Sequence, residues 1–205
     1  PTPNNSVIAT APDSTTSFGQ LVYDENFDDG TDNGFFYENG NWSIVDDGSG
    51  NKVLESGKSN NWSYARFGPT NFSNGTIEYR IRLTEYASSS YSGLAFLIFH
   101  EQPQASYIFA TDYKYSTLDF KYTGDDTSYK WVEISNGTTS FDFQKNKWYS
   151  VRVVISGNRI SVYLDQRLAI DTTDSRLTNG KIKFGSASFS TVAQFDDVRV
   201  WVLEQ

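Results

Sequence analysis

Residues 148–170 read WYSVRVVISGNRISVYLDQRLAI and hold two apolar runs separated by a Gly-Asn pair. Within each run valine, isoleucine or leucine recurs at about every second position, which is the period of a β-strand with one buried face. Glycine and asparagine tolerate the positive φ that a two-residue hairpin turn needs. The stretch therefore predicts an antiparallel hairpin and indicates an all-β fold.

The remainder of the chain from residue 19 repeats this pattern. Some fourteen short alternating or apolar runs are separated by turn sequences such as DDGSGN, SNGT, TGDDTS and TNGK, and no window has a clear helical period. This spacing predicts an all-β, two-sheet antiparallel β-sandwich of the jelly-roll type over residues 19–205. Residues 1–18 are rich in Pro, Ser, Thr and Asn, so we expect a disordered linker or tail that tethers the domain to a larger protein.

Alternation also assigns side chains to faces of the sandwich. In TIEYRIRL (76–83) the apolar residues share one face, so Glu78, Arg80 and Arg82 lie on the opposite face. The run GLAFLIFH (93–100) is apolar at nearly every position. We therefore expect it to form a central strand that is covered on both sides.

Composition excludes several classes of function. The chain has 205 residues, a formal charge of -8 and a pI near 4.6, which opposes nucleic-acid binding because phosphate contacts need clustered Lys and Arg. It has no cysteine, hence no disulfide and no thiolate site. No apolar run is long enough to insert into a membrane. We expect an extracellular or cell-surface domain, and the lack of disulfides is typical of bacterial proteins of that kind.

Several segments together resemble a known superfamily. YDENFDDG (23–30), FSNGTIEYRIRL (72–83), the opening stretch and QFDDVRVWV (194–202) follow the order found in concanavalin A-like, laminin-G-like jelly rolls. In that superfamily W-x-x-V/L-R-V-x-V leads to G-N-x-I-x-V-Y-L-D-G and the domain closes with F-D-D-V-R-V; Gln166 stands here in place of the turn Gly. The resemblance spans about residues 20–202. It implies the fold but not one activity, because the fold hosts lectins, carbohydrate-binding modules, glycoside hydrolases and adhesion domains.

The resemblance also implies that the first and last strands lie together, often around a structural calcium. Six carboxylates would then meet: Asp24, Glu25, Asp28, Asp29, Asp196 and Asp197. Calcium takes six to eight oxygen ligands, which acidic loops supply well. We predict a structural Ca²⁺ bound by Glu25, Asp28 and Asp196, with the carbonyl of Gly30 or Gly48 nearby.

An interpretation without metal stays open. Asp28 and Asp29 are also typical turn residues, and Asp197 could pair with Arg152 or Arg199. The spacing in DENFDDGTDNG does not fit an EF-hand loop, so the calcium prediction depends on two distant segments meeting.

Catalytic groups are hard to find in the sequence. Hydrolases on this fold carry an E-x-D-x-x-E pattern on one strand, so that two carboxylates flank the scissile bond. No such pattern occurs; YKWVEIS (129–135) holds the single Glu133 and TDYKYSTLDF (111–120) holds no Glu. His100, the one histidine, ends an apolar strand, where a structural role is the commoner outcome. We predict a domain that is not an enzyme, with a glycoside hydrolase-like enzyme as the residual alternative.

Sugars stack on aromatic side chains and donate hydrogen bonds to polar ones. Trp62 is one aromatic residue that the core need not claim. We predict glycan contacts on the concave sheet face from these residues: Arg80, Arg82, Tyr113, Tyr115, Trp131 and Glu133. The two arginines would suit an acidic sugar. The alternative is that the aromatic residues pack in the core or at its rim, and that the arginines pair with Glu78 or Asp119.

Two functions of different classes follow. The first is a non-catalytic, lectin-like domain whose partner is a polysaccharide or glycan. The second is a protein-binding adhesion or sensor domain of laminin-G-like type. An aromatic groove would favour the first and a flat apolar patch the second.

Overall fold

The computed structural model describes residues 19–87, 93–124, 131–187, 189 and 191–203. The predicted linker, residues 1–18, lies outside them. Within the described residues the regular structure consists of strands alone. The strands are β1 (Gln20–Glu25), β2 (Phe36–Asn39), β3 (Asn41–Asp46), β4 (Lys52–Gly57), β5 (Ser63–Phe72), β6 (Gly75–Tyr86), β7 (Leu94–Gln102), β8 (Ala105–Asp112), β9 (Thr117–Thr123), β10 (Trp131–Ser140), β11 (Tyr149–Ser156), β12 (Arg159–Leu164), β13 (Arg167–Thr173), β14 (Gly180–Ser186) and β15 (Thr191–Val202).

These strands form two antiparallel sheets that pack as a sandwich. The eight-stranded sheet has the order β13-β12-β11-β6-β15-β4-β3, and β1 pairs with the second half of β15. The seven-stranded sheet has the order β10-β9-β8-β7-β14-β5-β2. The predicted sandwich is confirmed, and so is the meeting of the first and last strands. No helix in the described part of the chain is long and apolar enough to cross a membrane.

The hairpin predicted from residues 148–170 is confirmed. β11 and β12 pair up to Ser156 and Arg159, which leaves Gly157 and Asn158 as the two turn residues. Gly157 has a φ of 61°, the left-handed conformation that the turn requires. The inward side chains of both strands, which are Tyr149 and a series of valine, isoleucine and leucine residues, are buried in the core.

Aromatic rings fill the space between the sheets. The rings of Phe184 in β14 and Phe195 in β15 stack with centroids 4.3 Å apart, which joins the two sheets. Phe67 packs 4.4 Å from Phe184 on the same inner face. The apolar residues of β6 are buried here, as alternation predicts.

β7 is central in the seven-stranded sheet and is buried on both faces, as predicted. Ala95, Leu97 and Phe99 point into the sandwich core. Phe96 and Ile98 belong to a second apolar cluster on the outer face of the same sheet. That outer face is covered by aromatic side chains, and it forms the floor of the site described next.

Candidate functional site: a groove on the seven-stranded sheet

The outer face of the seven-stranded sheet carries a groove with a volume of about 950 Å³. Side chains from all seven strands of the sheet and from the β7–β8 turn line it. The lining residues are Glu38, Trp62, Tyr64, Phe96, Ile98, Glu101, Gln102, Pro103, Gln104, Ala105, Ser106, Ile108, Thr123, Trp131 and Lys183. This groove is the candidate site.

A second, smaller depression of about 330 Å³ lies on the outer face of the eight-stranded sheet, where Glu78, Arg152 and Arg199 are among the residues that line it. Every strand of the seven-stranded sheet contributes at least one side chain to the lining of the groove. The groove therefore crosses the whole width of that sheet.

Three aromatic side chains form the apolar part of the groove. The ring centroid of Trp62 lies 5.7 Å from that of Phe96 and 6.4 Å from that of Trp131. Phe96 and Trp131 meet edge to face at 6.2 Å, and Phe189 contacts Trp62 in the same way at 5.8 Å. Trp62 and Trp131 are only partly buried, so each offers ring surface to a ligand in the groove.

A charged triad forms the polar part. Lys183 of β14 projects from the sheet between Glu38 of β2 and Glu101 of β7. Its Nζ lies 2.5 Å from Glu38 Oε2 and also pairs with Glu101 Oε1. The side chain of Lys183 is 9% exposed, against 27% for Glu38 and 22% for Glu101. A lysine this buried needs such partners, because an unpaired buried charge is strongly destabilising.

Trp131 and Glu133 lie where alternation along β10 predicts, on the outer face of the seven-stranded sheet. Trp131 lines the groove, whereas Glu133 is exposed outside it and pairs with Lys121 at 3.0 Å. Partial burial raises the pKa of Glu133, but hydrogen bonds from Lys121 and Thr138 outweigh it and leave the pKa below its ordinary value. The Lys121 ammonium lies 5.8 Å from the Trp131 ring centroid.

The prediction that Tyr113 offers its ring to a sugar is wrong. Tyr113 is 3% exposed and stacks on Phe143 with centroids 4.5 Å apart, inside the main core. Tyr115 is 65% exposed, but it belongs to the β8–β9 turn, at the opposite end of β8 from the groove. Asp112 fixes that turn by accepting hydrogen bonds from the backbone N–H groups of Lys114 and Tyr115.

The prediction that Arg80 and Arg82 share a face with Trp131 is also wrong. Both arginines belong to β6, which pairs with β11 and β15 in the eight-stranded sheet. Their guanidinium groups lie 5.0 and 4.7 Å from the ring centroid of Trp148. Arg82 also donates hydrogen bonds to Gln194 Oε1 at 2.6 Å and to the Asp47 carbonyl at 2.7 Å. These contacts belong to the outer face of the other sheet.

Sequence comparison adds a family to this geometry. Residues 22–201 match the family described as the 3-keto-alpha-glucoside-1,2-lyase-like domain. The chain belongs to this family. No curated protein matches it.

Solved structures similar to this 3-keto-alpha-glucoside-1,2-lyase-like domain share its fold. The carbohydrate-binding module CBM66 from Bacillus subtilis is 22% identical, with a TM-score of 0.63 over 80% of this chain and 93% of that chain. Domain 4 of AbnA, an extracellular arabinanase from Geobacillus stearothermophilus in complex with arabinotriose, is 10% identical, with a TM-score of 0.61 over 91% and 94%. The Bacillus licheniformis beta-glucanase is 15% identical, with a TM-score of 0.60 over 90% and 99%. The predicted concanavalin A-like jelly-roll superfamily is confirmed.

Asp196 does not join the predicted calcium ligands in this domain. It ion-pairs with Arg80, accepts a hydrogen bond from Asn51 Nδ2 at 2.9 Å and accepts another from the backbone N–H of Asp197 at 2.8 Å. Burial raises the pKa of Asp196, and Asp197 adds to this rise, although Asn51, the Asp197 N–H and Arg80 oppose it. Asp197 pairs with Arg80 at 2.6 Å, whereas Arg152 pairs with Glu78 at 3.7 Å and Arg199 with Asp24 at 3.1 Å. The positive charge of Arg80 thus offsets the negative charges of Asp196 and Asp197.

The other two predicted ligands are placed differently. Glu25 is 4% exposed; its Oε1 accepts a hydrogen bond from the Phe27 N–H at 2.7 Å, and its Oε2 is buried without a hydrogen-bond partner among the described residues. Asp28 is exposed and bonds the Asn26 side chain at 3.0 Å. Across the described ranges, no three Asp, Glu or His side chains are arranged to hold a metal ion. Glu25, Asp28 and Asp196 therefore do not converge on one site among the described residues, and Glu25 Oε2 is the buried oxygen that is left without a partner.

Sequence reasoning missed the triad. Alternation in GKIKFGS does place Lys183 on the outer face, opposite Ile182 and Phe184 in the core. Glu38 and Glu101 come from strands that are far apart in sequence, and a search for carboxylates on one strand does not find them. The one signal in the sequence was a lysine in the middle of a largely apolar strand, at a position that alternation places on the outer face.

Proposed function

We propose that the domain is a non-catalytic, lectin-like module that binds a glycan in the groove. The observation that carries the proposal is the pair Trp62 and Trp131, whose partly buried rings flank a groove that also contains carboxylates. Aromatic rings pack against the apolar face of a sugar, while carboxylates accept hydrogen bonds from its hydroxyl groups. A concave site with an apolar lining and a few polar groups is typical of small-molecule binding.

Two of the similar structures support this choice. One is a carbohydrate-binding module and another is a domain described in complex with arabinotriose. The second is a domain of an extracellular enzyme, and we propose by analogy that this domain is tethered to a larger extracellular or cell-surface protein. The shape of the site favours a glycan over the alternative adhesion partner, because the aromatic rings line a groove and not a flat patch.

Substitution of the two tryptophans tests the proposal. Affinity electrophoresis against a panel of polysaccharides finds the ligand, and calorimetry with an oligosaccharide of that class measures its affinity. We expect Trp131→Ala and Trp62→Ala each to weaken binding by about tenfold or more, since each removes a stacking surface. Tyr115→Ala is the control, because it removes an exposed ring outside the groove. Equal affinity in the wild type and both tryptophan variants would exclude the groove as the binding site.

The family description favours a second function, lyase activity on a 3-keto-alpha-glucoside. Elimination needs a base to remove a proton and an acid to assist the leaving group. Glu38, Lys183 and Glu101 are candidate groups, since they lie together in the groove. Turnover of such a substrate that is lost in Glu101→Gln and kept in Glu133→Gln would establish this function. Glycan binding without turnover supports the non-catalytic module.

We also propose that a calcium ion stabilises the end of β1, with Glu25 as one ligand. A buried carboxylate oxygen without a partner calls for a cation or a water molecule. The loop that follows β1 carries Asp28, Asp29 and Asp32, which adds negative charge near Glu25. Calcium is the cation that such oxygen-rich loops bind well.

A further inference from the structure

We infer that the groove selects neutral glycans and rejects acidic ones, because Glu38 and Glu101 neutralise Lys183 and leave an excess negative charge. This inference rests on the proposed function and names the ligand class of the same site. It differs from the acidic sugar suggested by Arg80 and Arg82, which lie on the other sheet.

The first step is the charge that a ligand meets. Glu38, Glu101 and Lys183 are the charged residues among those that line the groove in the described part of the chain. Both carboxylates are more exposed than the ammonium group between them. The positive charge is therefore shielded, and the net charge of the triad is negative. A uronate or sialate carboxylate in the groove would be repelled, since like charges in a partly desolvated site are strongly unfavourable.

The second step concerns hydrogen bonding. Ionised carboxylates only accept hydrogen bonds, whereas sugar hydroxyl groups both donate and accept. Glu38 Oε2 and Glu101 Oε1 each pair with Lys183, both side chains stay partly exposed, at 27% and 22%, and a carboxylate oxygen can accept a second hydrogen bond. Hydroxyl groups of a neutral sugar can donate to such oxygens, but a carboxylate on the ligand cannot. The triad therefore matches a neutral polyhydroxyl ligand in both charge and hydrogen bonding.

The third step is the backbone that places Glu101 in the groove. Simple alternation after Ile98 would point His100 outward and Glu101 toward the core. Instead, His100 has a φ of 50°, and the pairing of β7 with both β8 and β14 changes register at this point. The His100 ring turns inward, 5.9 Å from the ring centroid of Phe72, and Glu101 faces the groove. A β-bulge next to a site often re-aims a side chain in this way.

Matched polysaccharides test the inference. The probes are hydroxyethylcellulose with carboxymethylcellulose, and methyl-esterified pectin with polygalacturonate, together with arabinan and levan, in affinity electrophoresis at low and high salt. We expect retardation by at least one neutral polymer and none by the acidic polymers. Acidic polymers bound as well as neutral ones would overturn the inference and leave the proposed function standing. Binding to no polymer would overturn the proposed function and the inference with it.

Charge variants separate the groove from the rest of the surface. Glu38→Gln with Glu101→Gln changes the triad from net negative to net positive, and we expect affinity for the acidic polymers to rise by about tenfold. Glu133→Gln, on the same sheet face outside the groove, is the control and should give no such gain. Glu38→Gln alone keeps one carboxylate on Lys183, so it serves if the double variant melts early, and a smaller gain is expected. No gain in either variant would contradict the inference.

Discussion

The Cε2 atom of Phe96 lies 2.1 Å from the position that a Cβ atom on Gly185 would occupy. The ring of Phe96 therefore rests directly on the backbone of β14, where any side chain would displace it. Trp62 and Trp131 both contact this ring, so its height above the sheet sets the position of the groove wall. One glycine on the seven-stranded sheet thus determines the depth of the candidate binding site.

Gly185→Ala should damage both the groove and the fold. The added methyl group must push the Phe96 ring outward, and overpacking of this kind costs about 1–3 kcal/mol of unfolding free energy. We expect glycan affinity to fall as well, because Trp62 and Trp131 move with the ring. Gly57→Ala is the control, since the atom nearest to its added Cβ would lie 3.5 Å away, an ordinary van der Waals distance. Urea unfolding and calorimetry measure the two effects, and a variant with wild-type stability and affinity would contradict the prediction.

Tyr113 and Tyr115 should respond very differently to truncation. Tyr113→Ala removes a ring that packs between Phe143 and Tyr149 in the core, and we expect a loss of about 3–5 kcal/mol in unfolding free energy. Tyr115→Ala changes an exposed turn residue, and its effect should lie within about 0.5 kcal/mol. Urea unfolding followed by tryptophan fluorescence measures both. Similar losses in the two variants would contradict the placement of Tyr113 in the core.

The two-sheet sandwich could be predicted from the sequence because burial on one face forces a two-residue alternation. β6 shows this clearly, and its inward and outward residues lie as predicted. The sheet to which each strand belongs is set by non-local pairing, which alternation does not encode. Arg80 was therefore assigned to the same face as Trp131, although β6 and β10 belong to different sheets.

The remaining errors arise where the strands depart from regular geometry. Bulges at His100 and Asp197, both with positive φ, change which face the following side chains occupy. Local sequence gives little warning of them, because neither residue is glycine. Glu38 and Glu101 meet at Lys183 only after the sheet has formed, so their pairing is a property of the fold and not of any motif.

Removal of calcium should destabilise the domain through Glu25. We expect EDTA to lower the melting temperature of the wild type by about 5 °C or more and calcium to restore it, since a bound ion stabilises the folded state alone. Glu25→Gln should melt at one temperature with or without EDTA. Asp196→Asn is the comparison: it should keep the response to EDTA, because Asp196 is already paired with Arg80. An identical melting temperature of the wild type in calcium and in EDTA would refute the calcium proposal.

His100 should titrate below the ordinary pKa of histidine, 6.5, and this should make stability depend on pH. Burial lowers the pKa of His100, and the backbone carbonyls of Ser73 and Leu177 only partly offset that effect. The Nε2 atom donates to the Ser73 carbonyl at 2.8 Å, and the other ring nitrogen is buried, so protonation places a charge inside the protein. In the unfolded chain the same group takes up its proton near pH 6.5. Its contribution to stability is therefore complete above pH 6.5 and declines as the pH falls from there toward the folded pKa.

The chain has one histidine, so its proton NMR signals report this titration without overlap from another imidazole. We expect a midpoint below 6.5 in the folded protein and a fall in unfolding free energy between pH 7.5 and pH 5.5 that is smaller in His100→Gln. Because the His100 bulge aims Glu101 into the groove, glycan affinity should weaken over the same range. Glu133→Gln, which leaves the bulge intact, should retain the wild-type pH profile. A folded-state midpoint at or above 6.5 would show that His100 is not held neutral by burial.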